Sequence, residues 1–211
     1  MRESDLIAGL DQQQLDNFVD YVLSEDLGSG DVTSRVSVPA SARFSAVLAA
    51  RQPIVVAGLQ LAAAFFGKLD PEVAIEFLVQ DGDNVAAGQP LMRIAGSAQL
   101  MLAAERSALN TLQHLTGIAT VTRSYAEAIA GTDCVLLDTR KTIPGLRAIE
   151  KYAAKVGGAR NHRMRLDDGI LIKDNHIAAA GSIVEAVKAA KAANTGLEVQ
   201  VEVDGIEQIE P

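Results

Sequence analysis

Apolar positions change period along the chain, and the change divides it. Between residues 11 and 23, Leu15, Phe18, Val19, Val22 and Leu23 fall on one face of a helical repeat, which predicts an amphipathic helix ending at Glu25-Asp26-Leu27-Gly28. A polar loop, Gly28 to Ser34, follows. Residues 42–56 are rich in β-formers, Gly58 to Phe66 reads as a short helix, and Val73 to Val79 alternates as a strand. Asp81-Gly82-Asp83-Asn84 marks a turn before a further strand at Pro90 to Ile94. From Ser97 to Ala130 the period is helical, with Gly117 predicted to break it into two helices.

After Gly131 strands and helices alternate. A strand at 134–138 leads to a polar loop and a helix at 145–156 that turns Leu146, Ile149, Ala153 and Val156 inward. A strand at 169–173, another loop, a helix at 182–193 and a strand at 198–203 opening into a new helix complete the series. Such alternation implies parallel strands, as in a β/α barrel or a doubly wound sheet. The fold class is therefore α/β, with an α+β part first and βα units after it. Three βα units cannot close a barrel and would leave a strand edge unpaired, so further strands are expected in a longer parent protein.

Composition narrows the class. Hydrophobic residues make up 48% and charged ones 22%, enough for a core in a globular protein. No apolar run approaches the roughly 20 residues of a membrane span, and the N-terminus lacks a signal-peptide core, so a cytoplasmic protein is expected. The single cysteine, Cys134, sits in an apolar stretch and reads as a small buried hydrophobe.

Charge supplies the functional signal. From Thr139 to Asn175 nine Lys/Arg face four acids, a local excess of +5 in a chain of net charge −8. A confined cationic field in an acidic protein suits a small polyanion, whereas nucleic acid calls for a broader basic face. The predicted strands end in Asp138-Thr139-Arg140-Lys141, Lys173-Asp174-Asn175-His176 and Glu202-Val203-Asp204, the edge where α/β folds bind ligands.

Several residues admit more than one chemistry. Lys173, read as buried at a strand end, suits an anion-binding lysine, a Schiff-base lysine or an ion-pair partner of Asp174. Arg140 and Arg163 each offer a planar fork to a carboxylate or phosphate. His162 and His176 have no cysteine or third histidine to complete a zinc site, and His162 reads better as a donor to an anion. Glu202, on an otherwise apolar strand, suits a magnesium ligand or an exposed edge position. Arg106, mid-helix, suits a function or an ion pair with Glu105 or Asp133. The hairpin Asp81 to Leu91 has the shape of a lipoyl-type carrier turn but lacks the lysine such a carrier needs.

These segments resemble the nicotinate-nucleotide pyrophosphorylases (carboxylating), the quinolinate phosphoribosyltransferases. The resemblance is carried by Glu25-Asp26 with Gly30-Asp31-Val32-Thr33-Ser34, Glu105 to Asn110 with Gly117-Ile118-Ala119-Thr120, and Asp138 to Thr142 with Pro144-Gly145-Leu146-Arg147. Gly157 to Arg163, Leu171 to His176 and Val201-Glu202-Val203 extend it over essentially the whole chain. It implies an N-terminal α/β sandwich-like domain over residues 1–114, with dimer-contacting helices, and the start of an open β/α barrel over 115–211. It also implies transfer of phosphoribose from phosphoribosyl pyrophosphate to quinolinate, with Mg²⁺ and loss of CO₂, giving nicotinate mononucleotide for NAD synthesis.

By the same resemblance Arg140, His162 and Arg163 hold the quinolinate carboxylates, and Arg106 reaches in from the partner of a homodimer. Lys141 and Lys173 act between quinolinate and the phosphates, and Glu202 helps hold magnesium. The family's second metal-binding acid and phosphate loop lie on later strands, so this stretch alone is expected to turn over weakly or not at all. Two rivals stay open: a related phosphoribosyltransferase-like paralogue that does not decarboxylate, and a Schiff-base aldolase-type barrel using Lys173.

Overall fold

The computed structural model describes residues 7–209. Their contacts form two units, one running to Asn161 and the other starting at His162.

In the first unit helix α1, Gln12–Leu27, begins at a reciprocal cap. The Asp11 carboxylate accepts the Gln14 N–H at 2.8 Å, and the Gln14 side chain accepts the Asp11 N–H at 3.0 Å. Its apolar stripe buries Leu15, Val19 and Leu23 as the periodicity predicts. The expected polar loop beyond it instead contains a short helix, α2, Val32–Ser37. Asp31 nucleates that helix by taking both the backbone N–H and the hydroxyl of Ser34.

Strands β1 (Arg43–Ala49), β3 (Ala74–Phe77) and β5 (Pro90–Ser97) form an antiparallel sheet in the order β1-β5-β3. Ile94 stands between Ala46 and Ile75 in register. A second pair joins β2 (Ile54–Val55) to β4 (Asn84–Val85), and helix α3 (Leu59–Leu69) follows β2 in the chain. The core joins Met92 and Ile94 of the sheet to Leu61, Ala62, Phe65 and Phe66 of α3, and Phe18 meets Phe65 edge-on at 6.2 Å.

The predicted break at Gly117 is absent. A single helix, α4, runs from Ala98 to Ala128. A mid-helix glycine costs only about 1 kcal/mol, and the residues beside it are pinned. Leu115 and Ala119 are fully buried, the Thr116 hydroxyl bonds both N–H and C=O of Ala57, and Thr120 accepts the Val55 N–H at 2.9 Å. Helix α5, Arg147–Gly157, packs along α4. The approach is close at Gly157, where a Cβ would lie 2.6 Å from the Ala119 carbonyl oxygen and 2.5 Å from Thr122 Cβ. Arg123 closes the end of α5 by donating to the Gly157 and Val156 carbonyls at 3.0 and 3.1 Å.

The second unit is a parallel crossover. Strand β6 (Ile170–Ile172) is followed by helices α6 (Asp174–Ala180) and α7 (Ile183–Ala192), and the chain returns as β7 (Val199–Val201) parallel to β6. Parallel neighbours require such an intervening crossover. Helix α6 occupies what the sequence suggested was a loop, and the new helix expected after the last strand is one 3₁₀ turn, Ile206–Gln208. No helix among the described residues is long and apolar enough to cross a membrane.

Candidate active site

The strand predicted at 134–138 reduces to one parallel bridge between Leu137 and Arg160. Arg160 donates to the Leu136 carbonyl at 2.8 Å and Asp138 donates to the Arg160 carbonyl at 3.2 Å. Val135 is 61% exposed and Cys134 is exposed too, contrary to the buried cysteine expected from sequence. The chain then leaves Asp138 as a loop carrying Thr139, Arg140, Lys141 and Thr142.

Three residues of α5 hold that loop. The Lys151 ammonium pairs with the Asp138 carboxylate, both side chains being almost fully buried (2% and 6% exposed). The Glu150 carboxylate accepts the Ile143 N–H at 3.1 Å and meets His114 Nε2 of α4 at 2.8 Å. Arg147 Nε donates to the Thr142 hydroxyl at 3.2 Å. From the other side Asn161 donates to Asp138 at 2.5 Å and to the Lys151 carbonyl at 2.9 Å. Residue type and spacing alone do not mark these supports. Their signal is a Glu-Lys pair set between Ile149 and Ala153, charges where an amphipathic helix buries its apolar stripe.

Arg140 Nε is buried with no hydrogen-bond partner among the described residues, while Lys141 is exposed. Arg106, on α4, is also exposed, and no ion pair among the described residues joins it to Glu105 or Asp133.

In the second unit the parallel register Ile172↔Val201 carries Lys173 and Glu202 out of adjacent strand ends. Lys173 Nζ meets Glu202 Oε2 at 2.5 Å, so its partner is Glu202 rather than Asp174. Its side chain is 39% exposed, against the burial read from sequence, because it leaves the strand end toward solvent. His162 Nε2 lies 2.6 Å from Gln200 Oε1, and His176 Nδ1 accepts the Lys173 N–H at 3.1 Å. Arg163 donates through Nη1 to the Gly169 carbonyl at 3.0 Å but buries Nε without an acceptor among the described residues. Asp168 ties the intervening turn by accepting the Met164 and Arg165 N–H groups at 2.6 and 2.9 Å. Burial works to raise its carboxyl, yet those backbone bonds outweigh it and hold the group below its ordinary value.

The donor set is ammonium, guanidinium and imidazole, suited to carboxylate and phosphate oxygens. Among the described residues no cluster of three or more His, Cys, Asp or Glu is placed to hold a metal. Glu202 offers a single carboxylate, one oxygen of which already meets an ammonium. That fits magnesium only in its usual manner, with one or two carboxylates and the remaining ligands from water and substrate phosphates.

Comparison with known proteins places the chain. The family model for the N-terminal domain of quinolinate phosphoribosyl transferase matches residues 31–116, and that for its C-terminal domain matches residues 118–211. The chain belongs to the quinolinate phosphoribosyltransferase family. Among relatives in this family, nicotinate-nucleotide pyrophosphorylase (carboxylating) of Mycobacterium leprae is 44% identical over 194 residues, covering 89% of this chain and 67% of that protein. The chloroplastic enzyme of that name from Arabidopsis thaliana is 42% identical over 196 residues, 90% of this chain and 56% of that protein. The crystal structure of NadC from Streptococcus pyogenes shares 39% identity at a TM-score of 0.89, over 94% of this chain and 71% of that one. The nicotinate-nucleotide pyrophosphorylase of Francisella tularensis shares 36% at 0.90, over 97% and 72%. The chain spans from 47% to 67% of the length of such curated relatives.

The two family models meet near residue 117, inside α4, whereas contacts within the chain divide at Asn161/His162. Helix α4 therefore carries the end of one sequence domain and the start of the next without interruption.

Proposed function

We propose that this quinolinate phosphoribosyltransferase chain carries part of the site at which the whole protein joins quinolinate to the ribosyl carbon of phosphoribosyl pyrophosphate, releasing pyrophosphate and CO₂ and leaving nicotinate mononucleotide for NAD synthesis. One observation carries most weight. Arg140 and Arg163 each bury a guanidinium N–H that finds no acceptor among the described residues. A buried donor left unmet costs about 1–3 kcal/mol, and an anionic ligand removes that cost.

In this reading Arg140, His162 and Arg163 bind the quinolinate carboxylates. Lys141 and Lys173 stand toward the phosphates and offset negative charge as the 2-carboxylate leaves the ring. Glycosyl transfer passes through an oxocarbenium-like state and needs no protein nucleophile, so orientation and fixed positive charge supply the catalysis. Glu202 would contribute to holding Mg²⁺, which supplies charge neutralisation on the pyrophosphate when bound. The Lys173–Glu202 contact then keeps an ammonium at the same strand ends. It also argues against the Schiff-base alternative, since an imine-forming lysine is normally desolvated and unpaired.

Arg106, exposed and unpaired among the described residues, suits donation to a partner's site in a homodimer. The cytoplasm remains the proposed compartment, in keeping with a lone, exposed, free Cys134.

The test is incubation of the protein with quinolinate, phosphoribosyl pyrophosphate and Mg²⁺, following nicotinate mononucleotide by chromatography. Product that requires both substrates is expected from the full-length parent protein, with weak or no turnover from these 211 residues alone. Product formed from nicotinate in place of quinolinate would favour the non-decarboxylating paralogue instead.

A further inference from the structure

We infer that Glu150 and Lys151, consecutive on α5, are positioning residues that clamp the two ends of the Asp138–Ile143 segment and thereby set where Arg140 and Lys141 stand. The inference rests on the reading of those two cations as substrate-binding groups.

The clamp has two jaws. Lys151 pairs with Asp138 at the start of the segment, and Glu150 accepts the Ile143 N–H at its end. Both are buried charges on a helix whose neighbouring inward positions are Ile149, Ala153 and Ala154. Burying charge is costly unless each charge finds a partner, so a helix needed only for packing would carry apolar residues there. His114 holds the other Glu150 oxygen at 2.8 Å and so orients the carboxylate toward Ile143.

The support behind the jaws is rigid. Helix α5 is locked to α4 at Gly157 and through Arg123, and Tyr152 donates to Asp81 at 2.6 Å. A group held by packed elements stays closer to its working geometry than one on a free loop.

The pairing pattern matters as much as the distances. The two acids that hold the ends of the segment, Asp138 and Glu150, are taken by Lys151, Asn161, His114 and the Ile143 amide. Neither is spent on Arg140 or Lys141, and no ion pair among the described residues takes those two cations. The clamp thus fixes the backbone between its jaws while leaving the cations' charge for a ligand.

The experiment compares Glu150→Ala with Glu150→Gln in the full chain. It measures amide hydrogen exchange at Ile143 and quinolinate affinity by calorimetry. Glutamine can still accept from Ile143 and donate to His114, so it should rescue. In Glu150→Ala, Ile143 exchange should accelerate and quinolinate binding should weaken, each by roughly tenfold or more, while Glu150→Gln stays within about threefold of the parent. If Glu150→Ala does not fold, Glu150→Asp, one methylene short of spanning both partners, should shift both readouts the same way. Unchanged exchange, or faster exchange with unchanged affinity, overturns the inference. A parent chain that does not bind quinolinate overturns the reading beneath it, and the exchange comparison still decides whether the clamp exists.

Discussion

Tyr152 of α5 donates its hydroxyl to Asp81 at 2.6 Å, and the same Asp81 carboxylate accepts the Gly58 and Leu59 N–H groups at the start of α3. One acid thereby ties the turn after β3 to two helices, and through α5 to the cation-bearing loop. Burial, then the bond to Asp81 and its negative charge, push the Tyr152 phenol well above its ordinary value.

A raised phenol gives stability that is whole below the unfolded value and fades as pH climbs past it. Urea midpoints should therefore fall as pH rises above about 10. Tyr152→Phe should lose about 1 kcal/mol at neutral pH and show a shallower alkaline decline. An identical alkaline slope in the phenylalanine variant would count against the linkage.

Asp31 works in the opposite sense. Its bonds from the Ser34 hydroxyl and backbone N–H hold the carboxyl below the usual range. A depressed carboxyl contributes stability that is present above the unfolded value and lost as pH falls through the folded one. The Ser34 amide should report α2 fraying only in that acidic window, by NMR titration, and Asp31→Ala should show the frayed state already at neutral pH.

Gly157→Ala should cost about 1–3 kcal/mol, the usual penalty for overpacking. The new methyl would meet Thr122 and the Ala119 carbonyl, and backbone cannot step aside as a flexible side chain can. Gly117→Ala, with open space at the same atom, should stabilise or leave stability unchanged. Chemical denaturation of both variants checks the contrast.

Lys151→Met leaves the Asp138 carboxylate buried with Asn161 as a neutral partner. Removing one member of a buried pair costs about 3–5 kcal/mol, whereas replacing both members by neutral groups costs less. Lys151→Met/Asp138→Asn should accordingly be more stable than Lys151→Met alone. Equal or lower stability of the double variant would mean the pair is not the dominant interaction there.

Much of the fold was legible because it follows from short-range periodicity. Leu15, Val19 and Leu23 bury as spacing predicts, and the strand–helix alternation after residue 168 does produce a parallel pair. What escaped depended on partners distant in sequence. Gly117 reads as a breaker until Ala57 and Val55 are seen to hold the helix on either side of it. Cys134 to Asp138 has a strand's composition but finds a neighbour only at Arg160, and α6 lies hidden in a polar stretch capped by the Lys173–His176 contact.

For the site, the cations stood out as residue types, and their pairing did not. That Lys173 takes Glu202 depends on strand register, and that Asp138 takes Lys151 depends on a helix thirteen residues on. The resemblance supplied roles for Arg140, His162 and Arg163. The supports at Glu150, Lys151 and Asn161 come only from the three-dimensional arrangement.

Calorimetric titration of quinolinate into the protein shows whether the guanidinium groups of Arg140 and Arg163 bind a pyridine dicarboxylate. Binding heat is predicted for the parent, with affinity reduced roughly tenfold or more in Arg140→Ala and in Arg163→Ala, as loss of a charged hydrogen bond worth about 1.5–3 kcal/mol requires. Absence of binding heat in the parent, or unchanged affinity in both variants, would contradict the account.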